Sequence, residues 1–235
     1  MLKYKRIILK LSGETLCLPG GACFDAQRVD LTAGVIARLS ALGAQVGVVL
    51  GGGNIWRGRF TEEMNPVNAD QMGMLATVIN ALCLSDALER AGARARVFSA
   101  QEMNRFARLY TAAEADEYLR SGGVALLSGG SGNPFFTTDT AAALRAAELG
   151  ADAVFKGTTV DGVYDSDPRK NPDARLIREI TYAEAISRGL RVMDMTAFML
   201  CMERKVPAIR VFGMDNLENV IRVAQGDGMG TLVHA

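Results

Sequence analysis

Short aliphatic runs alternate with longer helical stretches along this chain, and that alternation restricts the fold more than any other feature of the sequence. Arg6–Leu11, Gln45–Leu50, Arg96–Ser99, Val124–Ser128, Ala153–Lys156 and Ile209–Phe212 are runs of mainly β-branched and aliphatic residues. Little polar alternation interrupts them, as expected of strands covered on both faces. Between them lie helical patterns over Asp25–Leu42, Ala69–Ala91, Thr138–Leu149 and Tyr182–Arg188, followed in turn by Gly43, Gly92, Gly150 and Gly189. Glycine just past a last turn accepts the left-handed conformation that ends many helices. Thr181 and Glu184 have the spacing of a capping box for the fourth helix. The pattern predicts an α/β fold of three layers, α/β/α, around a mainly parallel central sheet. At 235 residues and 49% apolar, the chain can build one sizeable core, so a single domain over 1–235 is the expectation.

Two stretches depart from this regular pattern. Ala69–Ala91 is apolar around much of its circumference, which predicts burial on more than one side, in the core or against a partner subunit. Asp165–Arg175 carries two prolines and many charges and is expected to be a long exposed loop. No apolar stretch reads as long enough to span a membrane, and Lys10 cuts short the apolar run near the N-terminus, so a soluble, cytoplasmic chain is expected.

The residue inventory narrows the chemistry. Lys and Arg total 26, as do Asp and Glu, so no net basic charge points to nucleic acid. His234 is the single histidine, which removes Ser-His-Asp and Cys-His hydrolases and histidine-rich zinc sites. Cys17, Cys23, Cys83 and Cys201 form no CxxC pair and are expected to be structural thiols. Catalysis would have to run on Lys, Arg, Asp and backbone donors. Phosphoryl transfer suits that set, because positioning and charge neutralisation do most of its work.

Four predicted strands run directly into glycine-bearing turns: Ser12-Gly13-Glu14, Gly51-Gly52-Gly53-Asn54, Gly129-Gly130-Ser131-Gly132-Asn133-Pro134 and Gly157-Thr158-Thr159. Ligands of open α/β sheets bind beyond the carboxyl ends of the strands, where bare backbone N–H groups can approach phosphates. Neither a GxxxxGK[ST] string nor GxGxxG is present. Lys10 and Lys156 each sit near the end of an apolar strand, as candidates to neutralise meeting polyphosphates; for Lys10 the plainer alternative is an edge-strand lysine reaching water. Arg57 offers a bidentate guanidinium for an acceptor phosphate or is a solvated loop residue. Asn133–Asp139 leads into a helix that Thr137 or Thr138 would cap. Phe135 and Phe136 could flank a base, though core packing is expected for at least one of them.

With these residues in view, the chain resembles the bacterial UMP kinases of the amino-acid kinase family over essentially its whole length. The resemblance rests on YKRIILKLSGE at Tyr4–Glu14, VGVVLGGGNIWRG at Val46–Gly58, DQMGMLATVINAL at Asp70–Leu82, SGNPFFTTDTAA at Ser131–Ala142, KGTTVDGVYDSDP at Lys156–Pro168 and VMDMTAF at Val192–Phe198. It implies an acceptor site toward the N-terminal half and an ATP site toward the C-terminal half. Lys10, Leu11, Ser12, Gly13 and Gly53 would line the phosphate track. Gly52, Arg57, Asp70, Ser131, Gly132, Asn133, Pro134, Phe135, Phe136, Thr137 and Thr138 would hold UMP, with Asp70 on the ribose hydroxyls. Arg57 would also reach the ATP side, where Thr158, Tyr164 and Asp167 would hold the adenine nucleotide. Lys10 and Lys156 would stabilise the moving phosphoryl group, while Asp139 and Asp194 would organise the lysines and Mg2+. The resemblance further implies a homohexamer activated by GTP and inhibited by UTP. The segment Leu18–Asp25, however, departs from the glycine-studded pattern linked to GTP activation.

Other readings of the same residues exist. An amino-acid or carbamate kinase would share the Lys10 strand and the glycine loops, and a non-catalytic relative storing a metal oxyanion would share the fold. The aromatic Asn133–Thr138 segment favours a base-bearing acceptor over the first. Joint retention of Lys10, Asp139, Lys156 and Asp194 speaks against the second. A nicotinamide-dependent oxidoreductase is weakened by the missing fingerprint.

Overall fold

The computed structural model describes residues 1–57, 63–190 and 192–235. Gly58, the last residue of the Val46–Gly58 motif, lies outside the described residues. The central sheet has nine strands in the order β4-β3-β5-β2-β1-β6-β10-β11-β9. In chain order these are β1 (Arg6–Leu11), β2 (Gln45–Leu50), β3 (Ala95–Ser99), β4 (Arg108–Leu109), β5 (Val124–Ser128), β6 (Ala153–Thr158), β9 (Glu179–Thr181), β10 (Ala208–Gly213) and β11 (Thr231–His234). Pairing is parallel throughout except between β10 and β11. A separate antiparallel ribbon joins β7 (Val163–Tyr164) to β8 (Leu176–Ile177), and its connecting loop is the mostly exposed Asp165–Arg175 segment.

Helices cover both faces of the sheet, and the two-residue period of the strands sorts the core between them. Ile7, Leu9 and Leu11 of β1 face α1 (Ala26–Ala41), α2 (Pro66–Arg90) and α7 (Asn219–Ala224). Ile8 faces α3 (Ala112–Arg120), α4 (Thr138–Glu148), α5 (Tyr182–Ser187) and α6 (Met195–Glu203). The glycines expected to stop helices, Gly43, Gly92, Gly150 and Gly189, all have positive φ. Asp25 caps α1 through Arg28 N, and Thr181 with Glu184 completes the capping box of α5.

The structure changes two expectations about α2. It begins at Pro66 rather than Ala69, because Asn65 caps it and Pro66 occupies the first turn, where its missing N–H costs nothing. By length and composition it is also apolar enough to cross a membrane, contrary to the sequence reading. In this fold Ala76, Ala81, Leu84 and Leu88 pack into the protein, whereas Met72, Leu75, Ile79 and Leu82 form an exposed stripe. The lysine strand is likewise no edge: β1 lies at the centre of the sheet, between β2 and β6.

Candidate functional site

Pairing of β1 with β6 places Lys10 directly beside Lys156. Both lie on the strand face of Ile8 and Val154, so both ammonium groups emerge under the N-terminus of α4. There they meet Asp139, which is 9% exposed. Lys156 Nζ donates to Asp139 Oδ2, and Lys10 Nζ stands 2.8 Å from Oδ1. The Lys10 contact is an ion pair without hydrogen-bond alignment, since Oδ1 has no hydrogen-bond partner among the described residues. Burial pushes the Asp139 carboxyl up, but the two ammonium charges outweigh it and hold the group below its ordinary value. Burial also lowers Lys156, and the neighbouring Lys10 adds to that, with Asp139 offsetting only part of the effect. Two cations thus share one buried carboxylate at the strand tips, with the Asp194 charge acting on Lys156 from further off. That arrangement suits a polyanion.

Asp194 is fixed by two helices at once. It caps α6 through a 2.8 Å bond from Ala197 N and accepts from Thr140 Oγ1 at 2.9 Å. Thr137 Oγ1 donates to it as well. Thr137, rather than Thr138, is the cap of α4, accepting from the N–H groups of Asp139 and Thr140. The α4 and α6 N-termini are therefore tied together beside the lysines.

From Lys10 an open cleft of about 810 Å³ runs along the tips of β1, β2 and β5. Of the predicted residues it is lined by Lys10, Ser12, Gly52, Gly53, Arg57, Asp70, Asn133, Phe136, Thr137 and Thr138. Gly13 has no room for a side chain: an added Cβ would sit 2.1 Å from Asn54 Oδ1 and 2.6 Å from Gly51 O. Gly52 is equally restricted by Gly73 O at 2.8 Å. On the opposite wall Gly129, Gly130 and Gly132 all have positive φ. Arg57 donates to Gly53 O at 3.0 Å and pairs with Glu14. Asp70 accepts from Phe135 N at 2.7 Å and so pins a non-glycine residue at φ 71°. Phe135 and Phe136 are 71% and 50% exposed, which corrects the expectation that one of them belongs to the core.

Other predicted residues lie off this cleft. Leu11 is fully buried in the core, so only its backbone faces the strand tip. Ser131 bonds within the Asn133 turn, Gly132 O accepts from Gln101, and Pro134 is half-buried beside them. Lys156 is not the last residue of its strand, because β6 continues to Thr158. Thr158, Tyr164 on β7 and Asp167 in the β7–β8 loop do not line the Lys10 cleft, and Asp167 is paired with Arg169.

Sequence reasoning missed a supporting layer. Asn80 on α2 is fully buried and donates to Gly51 O at 2.7 Å, while exchanging side-chain bonds with Asn54. Thr77 Oγ1, one turn earlier, accepts from Gly129 N at 2.9 Å. Trp56 lines the cleft and donates to Ala69 O. Polar Thr77 and Asn80 inside an apolar helix were the available signal, because such groups persist only where a backbone partner waits.

A parallel α/β/α sheet with two facing lysines and bare glycine turns at its strand tips defines a protein built to hold phosphate groups against fixed positive charge. The chain belongs to the amino acid kinase family, whose model matches residues 5–212. It is 47% identical to a uridylate kinase of Bacteroides thetaiotaomicron over the full length of both chains. Its fold superposes on the crystal structure of UMP kinase from Bacillus anthracis with a TM-score of 0.95, at 35% identity and covering 98% of this chain and 96% of the other. The UMP kinase from Ureaplasma parvum gives 0.91 at 35% identity, with both chains fully covered.

Proposed function

We propose that this protein phosphorylates UMP to UDP with ATP as donor. The observation that carries the reading is the buried Lys10–Asp139–Lys156 cluster, whose Lys10 lines the glycine-walled cleft, in a chain 47% identical over its full length to a uridylate kinase. UMP occupies the Lys10 cleft: Arg57 holds its phosphate, and Asp70, Gly52, Phe136, Thr138 and the Ser131–Thr137 turn hold the nucleoside. ATP approaches from the C-terminal side over Lys10–Gly13, Gly53, Thr158, Tyr164 and Asp167. An oxygen of the UMP phosphate, already ionised, attacks the γ-phosphorus in line as the bond to the ADP oxygen breaks. Lys10 and Lys156 take up the charge that gathers on the transferring group, and no general base is needed. Among the described residues no three His, Cys, Asp or Glu side chains converge on a metal site. Mg2+ bound with ATP would offset the phosphate charge, and Asp139 and Asp194 would orient the lysines beside it.

An ADP-release assay with UMP, CMP, aspartate and acetylglutamate as acceptors tests the reading. Turnover confined to the pyrimidine nucleotides supports it, and preference for an amino acid would overturn it.

Self-association accompanies this reading, with a hexamer as the expected state. The exposed stripe Met72, Leu75, Ile79 and Leu82 on α2 is the face that a second copy covers, since four large apolar groups in a row are costly to leave in water. Ile79→Asp is expected to lower the sedimenting mass. GTP and UTP are the effectors to assay on the intact assembly, in the cytoplasm-like reducing buffer the free thiols favour.

A further inference from the structure

We propose that Cys17 and Cys23 are a redox pair that closes to an intramolecular disulfide and thereby loosens the glycine loop of the UMP cleft. The proposal rests on the UMP kinase reading only for its kinetic readout.

The two thiols lie on one small loop whose neck is closed. Asp25 N donates to Leu16 O at 2.8 Å, and Gly21 N turns back onto Leu18 O at 3.0 Å. Cys17 follows the outgoing side of the neck, and Cys23 stands two residues before the returning side. The closed neck keeps both thiols on one short loop, within which Cys23 can be drawn to the geometry a disulfide requires. Cys23 is exposed and Cys17 half-buried, so a small disulfide can reach the pair. Burial, then the charges of Glu14 and Cys23, raise the Cys17 pKa. Cys83 and Cys201 are elsewhere in the fold, and burial pushes Cys201 up to about 12, leaving it inert.

The loop is wired to the cleft through the Cys23 carbonyl. That oxygen accepts from Asn54 Nδ2 at 2.8 Å. Asn54 in turn exchanges bonds with the buried Asn80, which holds Gly51 O. Gly51–Gly53 are the cleft wall. On the other side of the loop, Cys17 Sγ lies 3.6 Å from Glu14 O, and Glu14 pairs with Arg57. Drawing Cys23 toward Cys17 pulls its carbonyl from Asn54 and removes one support of the glycine wall.

The chemistry balances with a low-molecular-weight disulfide as oxidant. The Cys23 thiolate attacks one sulfur of oxidised glutathione, forming a mixed disulfide and releasing one glutathione thiolate. The Cys17 thiolate then attacks Cys23 Sγ and expels the second. Two electrons pass from the protein sulfurs to glutathione, and the two protons lost by the cysteines are taken up by the departing thiolates. Because the Cys17 pKa is raised, closure accelerates as pH rises and more thiolate forms.

The test uses the full-length protein treated with oxidised glutathione and then with dithiothreitol. Peptide mass mapping should show a Cys17–Cys23 link two hydrogens lighter than the thiols. Amide exchange at Gly51–Asn54 should quicken, and KM for UMP should rise about five-fold, the scale of one lost neutral hydrogen bond. Dithiothreitol should reverse all three. Cys17→Ser and Cys23→Ser should keep reduced-state kinetics and lose the response. A glutathione adduct that persists on Cys23 overturns the pairing, and a link that leaves both amide exchange and KM unchanged overturns the coupling. If the reduced protein fails to turn over UMP, the functional reading falls while the mass and exchange data still judge the switch.

Discussion

Two ion clusters flank the same cleft, and they differ chiefly in exposure to water. Lys10, Asp139 and Lys156 have side chains only 11–13% exposed, whereas Arg57 and Glu14 are 54% and 49% exposed. Both join cations to a carboxylate at a strand tip. Water screens the outer pair, so its attraction contributes little and either side chain can leave to meet a ligand. The inner cluster has no such screen. The two ammonium groups hold Asp139 below its ordinary value and burial lowers Lys156, and neither charge can relax into water when a partner is removed. The depth of burial separates a fixed electrostatic device from a movable anchor.

Changes to the inner cluster should have the largest effects. Lys10→Ala leaves Asp139 balanced by Lys156, so the chain should stay folded while kcat falls ~10²-fold or more, measured by ADP release. Near-native turnover would remove Lys10 from the chemistry. Asp139→Asn leaves two facing ammonium groups and should cost about 3 kcal/mol in urea denaturation. An unchanged midpoint would show that the cluster relaxes as freely as the outer pair.

The pH dependence sharpens the same contrast. Asp139 is held below its unfolded value, so its stabilisation is complete above the ordinary carboxylate range and is lost as pH falls through the depressed value. Denaturation of the wild type should therefore become more acid-sensitive than that of Asp139→Asn. Lys156, lowered in the fold, should lose its charge on the alkaline side before an ordinary lysine does, so kcat should decline there early. A flat alkaline profile would exclude Lys156 from the rate-limiting step. The smallest effect belongs to Glu14→Gln, where loss of the exposed Arg57 pair should change stability by roughly 0.5 kcal/mol or less.

The sequence disclosed the long parallel strands because each is covered by helices on both sides and reads as an uninterrupted apolar run. The edge elements were hidden for the opposite reason. β4, β7 and β8 have two residues each, too few to show the two-residue period of a strand. The helix α3 escaped because its exposed face is charged, with Glu114, Asp116, Glu117 and Arg120 interrupting the apolar pattern. At the site, Lys10 and Lys156 stood out as charges in apolar strands. Asn80 and Thr77 did not, because a buried amide or hydroxyl declares its purpose only when the backbone group it serves is brought alongside by folding. The Asp70 bond to Phe135 N is likewise a long-range contact that no local pattern encodes.

The ladder that seats Lys10 against Lys156 also governs which lengths of chain this protein can tolerate. Side chains reverse sides at each step of a strand, so inserting one residue between Ile7 and Lys10 would swing the ammonium into the hydrocarbon layer under α1 and α2. A substitution there degrades one contact, whereas a shift of frame removes Lys10 from the cradle and leaves Lys156 alone beside Asp139. Insertions and deletions should therefore be confined to segments such as Asp165–Arg175, where no strand counts the residues.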